Sequence, residues 1–297
     1  MRRLFILILF NLCIASVVFA DCSKEHPALK ISKFFVPIKE DINYINPYIL
    51  NIQCIDLLDK SYDPQIIKNY IFWYFKHTNY PDNYGLTGTI YDYTINCKTG
   101  EETSTKTYDS VDGYAGTFLF LLYDYYRRTK DIKIIQENRK KIEDIAYLIG
   151  FLQDKDGLIW ALPDKKAKYL MDNCEAFGGI KAFNSLFRAM GWNINEYYTK
   201  LENSIKNSIL TNLYDINNEN FYWAKKNDKL FLSNLDTLYP DALSQLFPIL
   251  YGILKENPCL ETKLWHKFTE KYSDKSKRFP SEQRIIFELT KKKRTSR

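Results

Sequence analysis

Histidine is scarce in this chain: His26, His77 and His266 are the only three in 297 residues. They are scattered along the sequence, and none has a second metal-ligating residue at ligand spacing. Zinc chemistry and an imidazole-activated nucleophile are therefore both disfavoured. Cysteine is no better placed. Cys22, Cys54, Cys97, Cys174 and Cys259 fit neither a zinc pattern nor a small disulfide scaffold, and the expectation is no bridge or one, with no basis for choosing a pair. Beyond residue 20 no apolar run is long enough to span a bilayer. A basic body is missing too. The net charge is +6, but Arg2, Arg3 and the tail Lys291-Lys292-Lys293-Arg294-Thr-Ser-Arg297 carry the excess, so a nucleic-acid groove lacks its basic face. No metal or organic cofactor is implied.

What is present begins with an export signal. Arg2 and Arg3 precede an almost unbroken apolar stretch, Leu4 to Val18, and Val18-Phe19-Ala20 supplies a small residue for cleavage before Asp21. The expectation is a signal peptide over 1–20 and an N-terminal extension over 21–42. One domain over 43–290 and a basic tail over 291–297 follow. The destination is periplasmic or extracellular, with no stable membrane span after cleavage.

Four times, about 65 residues apart, an apolar helix is expected to begin just after an acid or amide beside an aromatic. The starts are Asp41-Ile-Asn-Tyr44-Ile-Asn46-Pro-Tyr48, Tyr108-Asp109-Ser-Val-Asp112-Gly-Tyr114, Tyr169-Leu-Met-Asp172-Asn-Cys-Glu175 and Tyr239-Pro-Asp241. The helices they open, 45–58, 112–126, 174–190 and 241–254, are apolar on nearly every face and read as inner helices. Between them, 64–77, 132–153, 194–213 and 259–272 carry one apolar stripe and one charged face, and read as outer helices.

The links alternate as well. Inner-to-outer links are short. Outer-to-inner links (78–111, 154–171 and 214–239) are long, with β-type stretches such as Gly85–Thr94, Gly157–Ala161 and Asn220–Ala224. Antiparallel hairpins with short links at one end collect every long link at the other. All four inner-helix N-termini then open on one face, where the helix dipoles are positive. The fold class is all-α, an α/α-hairpin toroid or incomplete toroid with short β-hairpin loops on one face.

An acid at a helix start most often caps the helix. Asp109, Ser110 and Asp112 all compete to cap the second inner helix. Asp172 reads as the cap of the third, with Glu175 reaching back in a capping-box arrangement. Asp241 suits the first turn of the fourth. Convergence on one mouth makes a second role available. Glycosidic cleavage needs one protonated carboxyl and one carboxylate, and acids paired in an aromatic pocket acquire different pKa values. Glu175 is the candidate general acid and Asp112 the opposing base. Asp109, Asp172, Asp241, Tyr93, Tyr114, Trp160 and Trp223 are candidate substrate-binding groups, the aromatics by stacking on sugar faces.

The segments Tyr108–Leu119, Asp156-Gly-Leu-Ile-Trp-Ala161, Lys168-Tyr-Leu-Met-Asp-Asn-Cys-Glu175 and Tyr239–Pro248 resemble the exported, bacterial-type members of the six-hairpin glycosidase superfamily. The resemblance covers about residues 43–253. It implies an (α/α)6 toroid with acids in a cleft at one mouth, and an oligosaccharide or polysaccharide as substrate. The activity expected from it is glycoside hydrolysis. The alternatives are a polysaccharide lyase, against which the shortage of histidine counts, and a non-catalytic helical-hairpin module that binds glycans or protein. The chain departs from the pattern in length: four hairpins and one further helix near 281–289, where six pairs close the toroid. Either the ring is open, or short segments that close it escape a reading of one sequence.

Overall fold

A computed structural model describes residues 26–31, 37–39 and 42–295, so the expected signal peptide lies outside the described residues. Eleven α-helices run in order: α1 Pro27–Ile31, α2 Pro47–Asp59, α3 Pro64–His77, α4 Val111–Thr129, α5 Ile132–Glu137, α6 Arg139–Phe151, α7 Leu170–Ala189, α8 Glu196–Asn212, α9 Phe247–Leu250, α10 Pro258–Tyr272 and α11 Ser281–Thr295. None is long and apolar enough to cross a membrane. The fold is all-α, with the expected alternation of inner and outer helices.

Local chemistry starts the helices where the sequence signals lie. Asn46 caps α2 by accepting the Ile49 N–H at 3.0 Å, with Pro47 behind it at the first helical position. Asp63 and Pro64 do the same for α3. Two elements differ from expectation. The second outer helix breaks at Asn138 into α5 and α6. The fourth inner helix is a π-turn, Leu238–Ala242, followed by the short α9. Pro240 and Pro248 lie within it and remove two amide donors, so a single regular helix cannot form there.

The ring closes. α2 packs on α4, α4 on α7, α7 on α9, α9 on α11, and α11 back on α2. Of the two outcomes that four hairpins left open, the ring is closed by a segment outside the hairpin count: α11 fills the gap as an unpaired stave, making five inner helices. Its core face is Ile285, Ile286, Phe287 and Leu289, and Phe287 stacks on Trp265 of the outer α10 with centroids 5.5 Å apart. The segment expected as a loose basic tail is helical through Thr295, and Lys292 bonds Asp59 at 2.7 Å.

α4 and α7 make the tightest seam. A Cβ added to Gly179 would stand 2.6 Å from the Cα of Gly116, so only paired glycines allow this approach. Of the expected β-type loops, 93–96 and 102–104 form strands with 37–39 and 42–45 in an antiparallel sheet of four. Residues 224–226 join 167–169 and 229–231 in a sheet of three. The 157–161 stretch forms no strand; a bridge from Gln153 to Ile159 and the Asn173 side chain, which pairs with both the N–H and the C=O of Ile159, hold it.

Buried Lys168 binds Asp154 at 2.5 Å and Asp156 at 2.7 Å, and Asp156 also takes Lys225 at 2.8 Å. The Asp156–Lys225 pair fastens two of the long loops to each other, and the Lys168 pairs brace the first of them internally.

Candidate active site

A cavity of about 340 Å³ lies at the mouth where the inner helices begin. Each stave contributes from its N-terminal end: Asn46 and Tyr48 from α2, Asp109 and Tyr114 from around the start of α4, and Asp172 from α7. Tyr239 comes from the π-turn, and Glu282 and Gln283 from α11. The expected convergence of acids and aromatics is thus found for Asp109, Asp172 and Tyr114.

Helix boundaries shift the acids relative to expectation. The strand 167–169 runs straight into α7, which makes Tyr169 the N-cap residue and places Asp172 in the first turn. Asp172 is therefore not the cap, and Glu175 lies a turn deeper than a capping box requires. Ser110 occupies the N-cap position of α4 without a side-chain cap bond, and Asp112 sits in the first turn.

Glu175 and Asp112 are both fully buried, and neither lines the cavity. Glu175 Oε1 accepts the Tyr48 hydroxyl at 2.8 Å, while Oε2 has no partner. A Cβ on Gly113 would stand 3.3 Å from that Oε2 and 3.7 Å from the Tyr48 ring. Asp112 Oδ1 accepts the Gly113 N–H at 2.9 Å, and Oδ2 is unpartnered. Burial, then the neighbouring Asp172 charge, pushes both carboxyls well above their usual range. Asp172 itself is pushed up to about 7, first by burial and then by the Asp109 charge. Three interacting carboxyls with different access to the cavity divide into one reachable acid and two concealed ones.

A further acid was not anticipated. Asp92 accepts the Tyr114 hydroxyl at 2.8 Å and a short bond from Tyr44, and burial lifts it to about 6 against those two bonds. Tyr114 in turn accepts Asn46 Nδ2 at 2.8 Å. This network fixes the wall that Tyr114 presents.

The remaining expected binding groups stand elsewhere. Asp241 is buried and accepts the Asn234 N–H at 2.7 Å, which ties down the loop before it. Tyr93 packs edge-on against Trp73 and His77, at 5.6 and 4.8 Å. Trp160 is half-buried in the α6–α7 link, outside the cavity lining. Trp223 stacks on Tyr169 at 6.1 Å and carries Lys226 over its ring at 4.4 Å. The residues missed are Glu282 and Gln283, while Tyr48 and Tyr239 belong to expected helix starts but not to the expected binding groups. Ser281-Glu282 just after Pro280 is a helix-start signal of the same kind as the four recognised.

The histidines are less scattered in space than in sequence. His77 Nε2 meets Glu102 Oε2 at 2.5 Å, His26 meets the other oxygen, and the Trp73 indole N–H donates to Glu102 at 3.1 Å. Burial raises Glu102, but these partners outweigh it and hold the carboxylate low. Among the described residues no group of three His, Cys, Asp or Glu could hold a metal ion. Cys97 is disulfide-bonded, whereas Cys54, Cys174 and Cys259 are free.

No protein-family model and no curated protein matches the sequence. Solved structures do match. A glycoside hydrolase family 76 α-mannanase of Bacteroides thetaiotaomicron aligns at TM-score 0.51 and 11% identity, over 83% of this chain and 68% of the other. A cellobiose 2-epimerase of Bacillus thermoamylovorans aligns at TM-score 0.51 and 10% identity, over 78% of this chain and 60% of that one. A family 78 rhamnosidase of Bacillus sp. GL1 aligns at TM-score 0.47 and 11% identity, over 64% of this chain and 21% of that one. The chain thus spans about three-fifths of the epimerase and a fifth of the rhamnosidase. At such identities the first two alignments show a shared α/α toroid fold.

Proposed function

We propose that this chain is a carbohydrate-active enzyme, a glycoside hydrolase working at the mouth cavity. One observation carries the reading: Asp172, pushed up to about 7, lines the cavity together with Asp109 and between tyrosine walls. A carboxyl that keeps its proton near neutrality beside a second, more exposed one is the pair that glycosidic cleavage needs. The α-mannanase named above shares the fold, which supports a saccharide substrate.

The roles follow from access and protonation. Asp172 gives its proton to the leaving glycosidic oxygen as the C–O bond breaks. Asp109 takes a proton from the water whose oxygen bonds to the anomeric carbon. Asp172 ends as carboxylate and Asp109 as acid, and exchange with solvent restores both. Asp112 does not suit the base role first assigned to it, since it is fully buried outside the cavity lining and burial raises its pKa, disfavouring the carboxylate form that a base needs. The raised pKa of Glu175 favours the protonated form that an acid needs, but Glu175 reaches the cavity only through the Tyr48 hydroxyl. Both act as positioning groups beneath the site.

The lyase alternative is disfavoured because, among the described residues, no Arg, Lys or His lines the cavity to meet a uronate carboxylate. Export to the periplasm or beyond is part of the proposal, supported by the apolar N-terminal run and by a disulfide at Cys97.

A polysaccharide activity panel with Asp172→Asn, Asp109→Asn, Glu175→Gln and Asp112→Asn beside the wild type tests these roles. Loss of turnover in the first two is expected. Turnover equal to wild type in either would refute its role, and no turnover by any protein on any substrate would favour the binding module.

A further inference from the structure

We infer that the mouth cavity selects saccharides by charge, favouring an ammonium-bearing amino sugar and rejecting uronates, with Glu282 as the specificity-determining residue. The inference rests on the cavity being a saccharide site. Its first support is the lining: Asp109, Asp172 and Glu282 face the cavity, and among the described residues no cation does. Among the described residues none of the three forms a salt bridge with Lys, Arg or His. Lys226, on the hairpin beside the mouth, is held instead over Trp223 and Tyr169 at 4.4 and 4.9 Å.

The second support lies beneath the cavity. The unpartnered oxygens of Glu175 and Asp112 are buried next to Ser110 and Tyr48, which line it. Among the described residues no Lys, Arg or His stands against either oxygen, so an incoming carboxylate finds no cation beneath the cavity either. The Tyr239 hydroxyl shows the same field from the opposite wall. Burial raises its pKa, and the charges of Asp172, Asp109, Glu175 and Glu282 raise it further.

Helix dipoles oppose this effect but do not cancel it. Each N-terminus offers about half a positive charge, and α2 has its own side-chain cap. Against α4, α7 and α11 stand the three carboxyl groups of Asp109, Asp172 and Glu282. The balance is negative. Glu282 decides selectivity because it comes from α11, away from the reacting pair, and is half-buried within reach of solvent.

The test is binding of methyl glycosides in three stereochemical series (gluco, galacto and manno), each as amino sugar, neutral sugar and uronate. Titration calorimetry at low and high salt gives the affinities. In any series that binds, the amino sugar should bind roughly tenfold tighter than the uronate, with the neutral sugar between. Salt should narrow that gap. Glu282→Gln should narrow it further and Glu282→Lys reverse the order, and unchanged melting temperatures would show both variants folded. Binding with no charge order, or uronates preferred, overturns charge selection but leaves the saccharide site standing. No binding in any series overturns both.

Discussion

The seam between α4 and α7 yields a sharp quantitative prediction. A methyl group on Gly116 would stand 2.5 Å from the carbonyl oxygen of Glu175 and 2.6 Å from its carbon. That is about 1 Å inside ordinary contact, and the obstacle is backbone, so no rotamer change relieves it. The helices must separate, loosening the Gly116–Gly179 crossing and drawing Glu175 away from Tyr48.

Replacing glycine by alanine in a helix gains about 1 kcal/mol of propensity. Overpacking costs typically 1–3 kcal/mol and more where backbone must move. Gly116→Ala should therefore destabilise by about 2 kcal/mol net, and lower the melting temperature by roughly 5 °C. Gly150→Ala is the matched control. Its methyl would meet only the end of the Tyr197 side chain, an exposed ring that can swing aside. That variant should be neutral, or more stable by up to about 1 kcal/mol. Urea unfolding followed by circular dichroism reads both. If Gly116→Ala is as stable as wild type while Gly150→Ala is not, the close approach of α4 and α7 is refuted.

Asp172 ionises near the ordinary carboxylate range when unfolded but at about 7 when folded, so stability should fall between pH 4 and 7 and level off above. Asp172→Asn should flatten that slope in unfolding titrations, and wild-type turnover should decline as pH rises through about 7, where the acid loses its proton. Lys168→Met leaves Asp154 and Asp156 facing each other without their shared cation; a loss of about 3 kcal/mol and faster proteolysis of the 154–168 loop are expected, and unchanged proteolysis would show that the loops are held by other contacts. Tyr48→Phe removes the only side-chain hydrogen-bond partner of Glu175 among the described residues, which should cost about 1–3 kcal/mol by thermal unfolding; no change would mean that Glu175 finds another partner.

The sequence by itself determined the alternation of helices and the face on which the inner ones begin. Local physics suffices for that. Ile142, Ile145 and Ile149 form a stripe at helical spacing, Asn46-Pro47 and Asp63-Pro64 are short-range caps, and link lengths follow from counting residues. It also put Asp109, Asp172 and Tyr114 at one mouth, since N-termini on one face must meet.

Only the tertiary structure decided which acids the solvent reaches. Asp112 and Asp172 each lie in the first turn of an inner helix, but the glycine-mediated closeness of α4 and α7 buries one and leaves the other at the cavity. Ring closure was likewise invisible: α11 looks like an ordinary amphipathic helix with a basic end, and it becomes a stave only because the gap between α2 and α9 is one helix wide. Through that gap Glu282 enters the site from a part of the chain some 110 residues beyond Asp172. The pKa values follow the same division. Each carboxyl's chemistry is written in the sequence, but its burial and its charged neighbours exist only once the ring has closed.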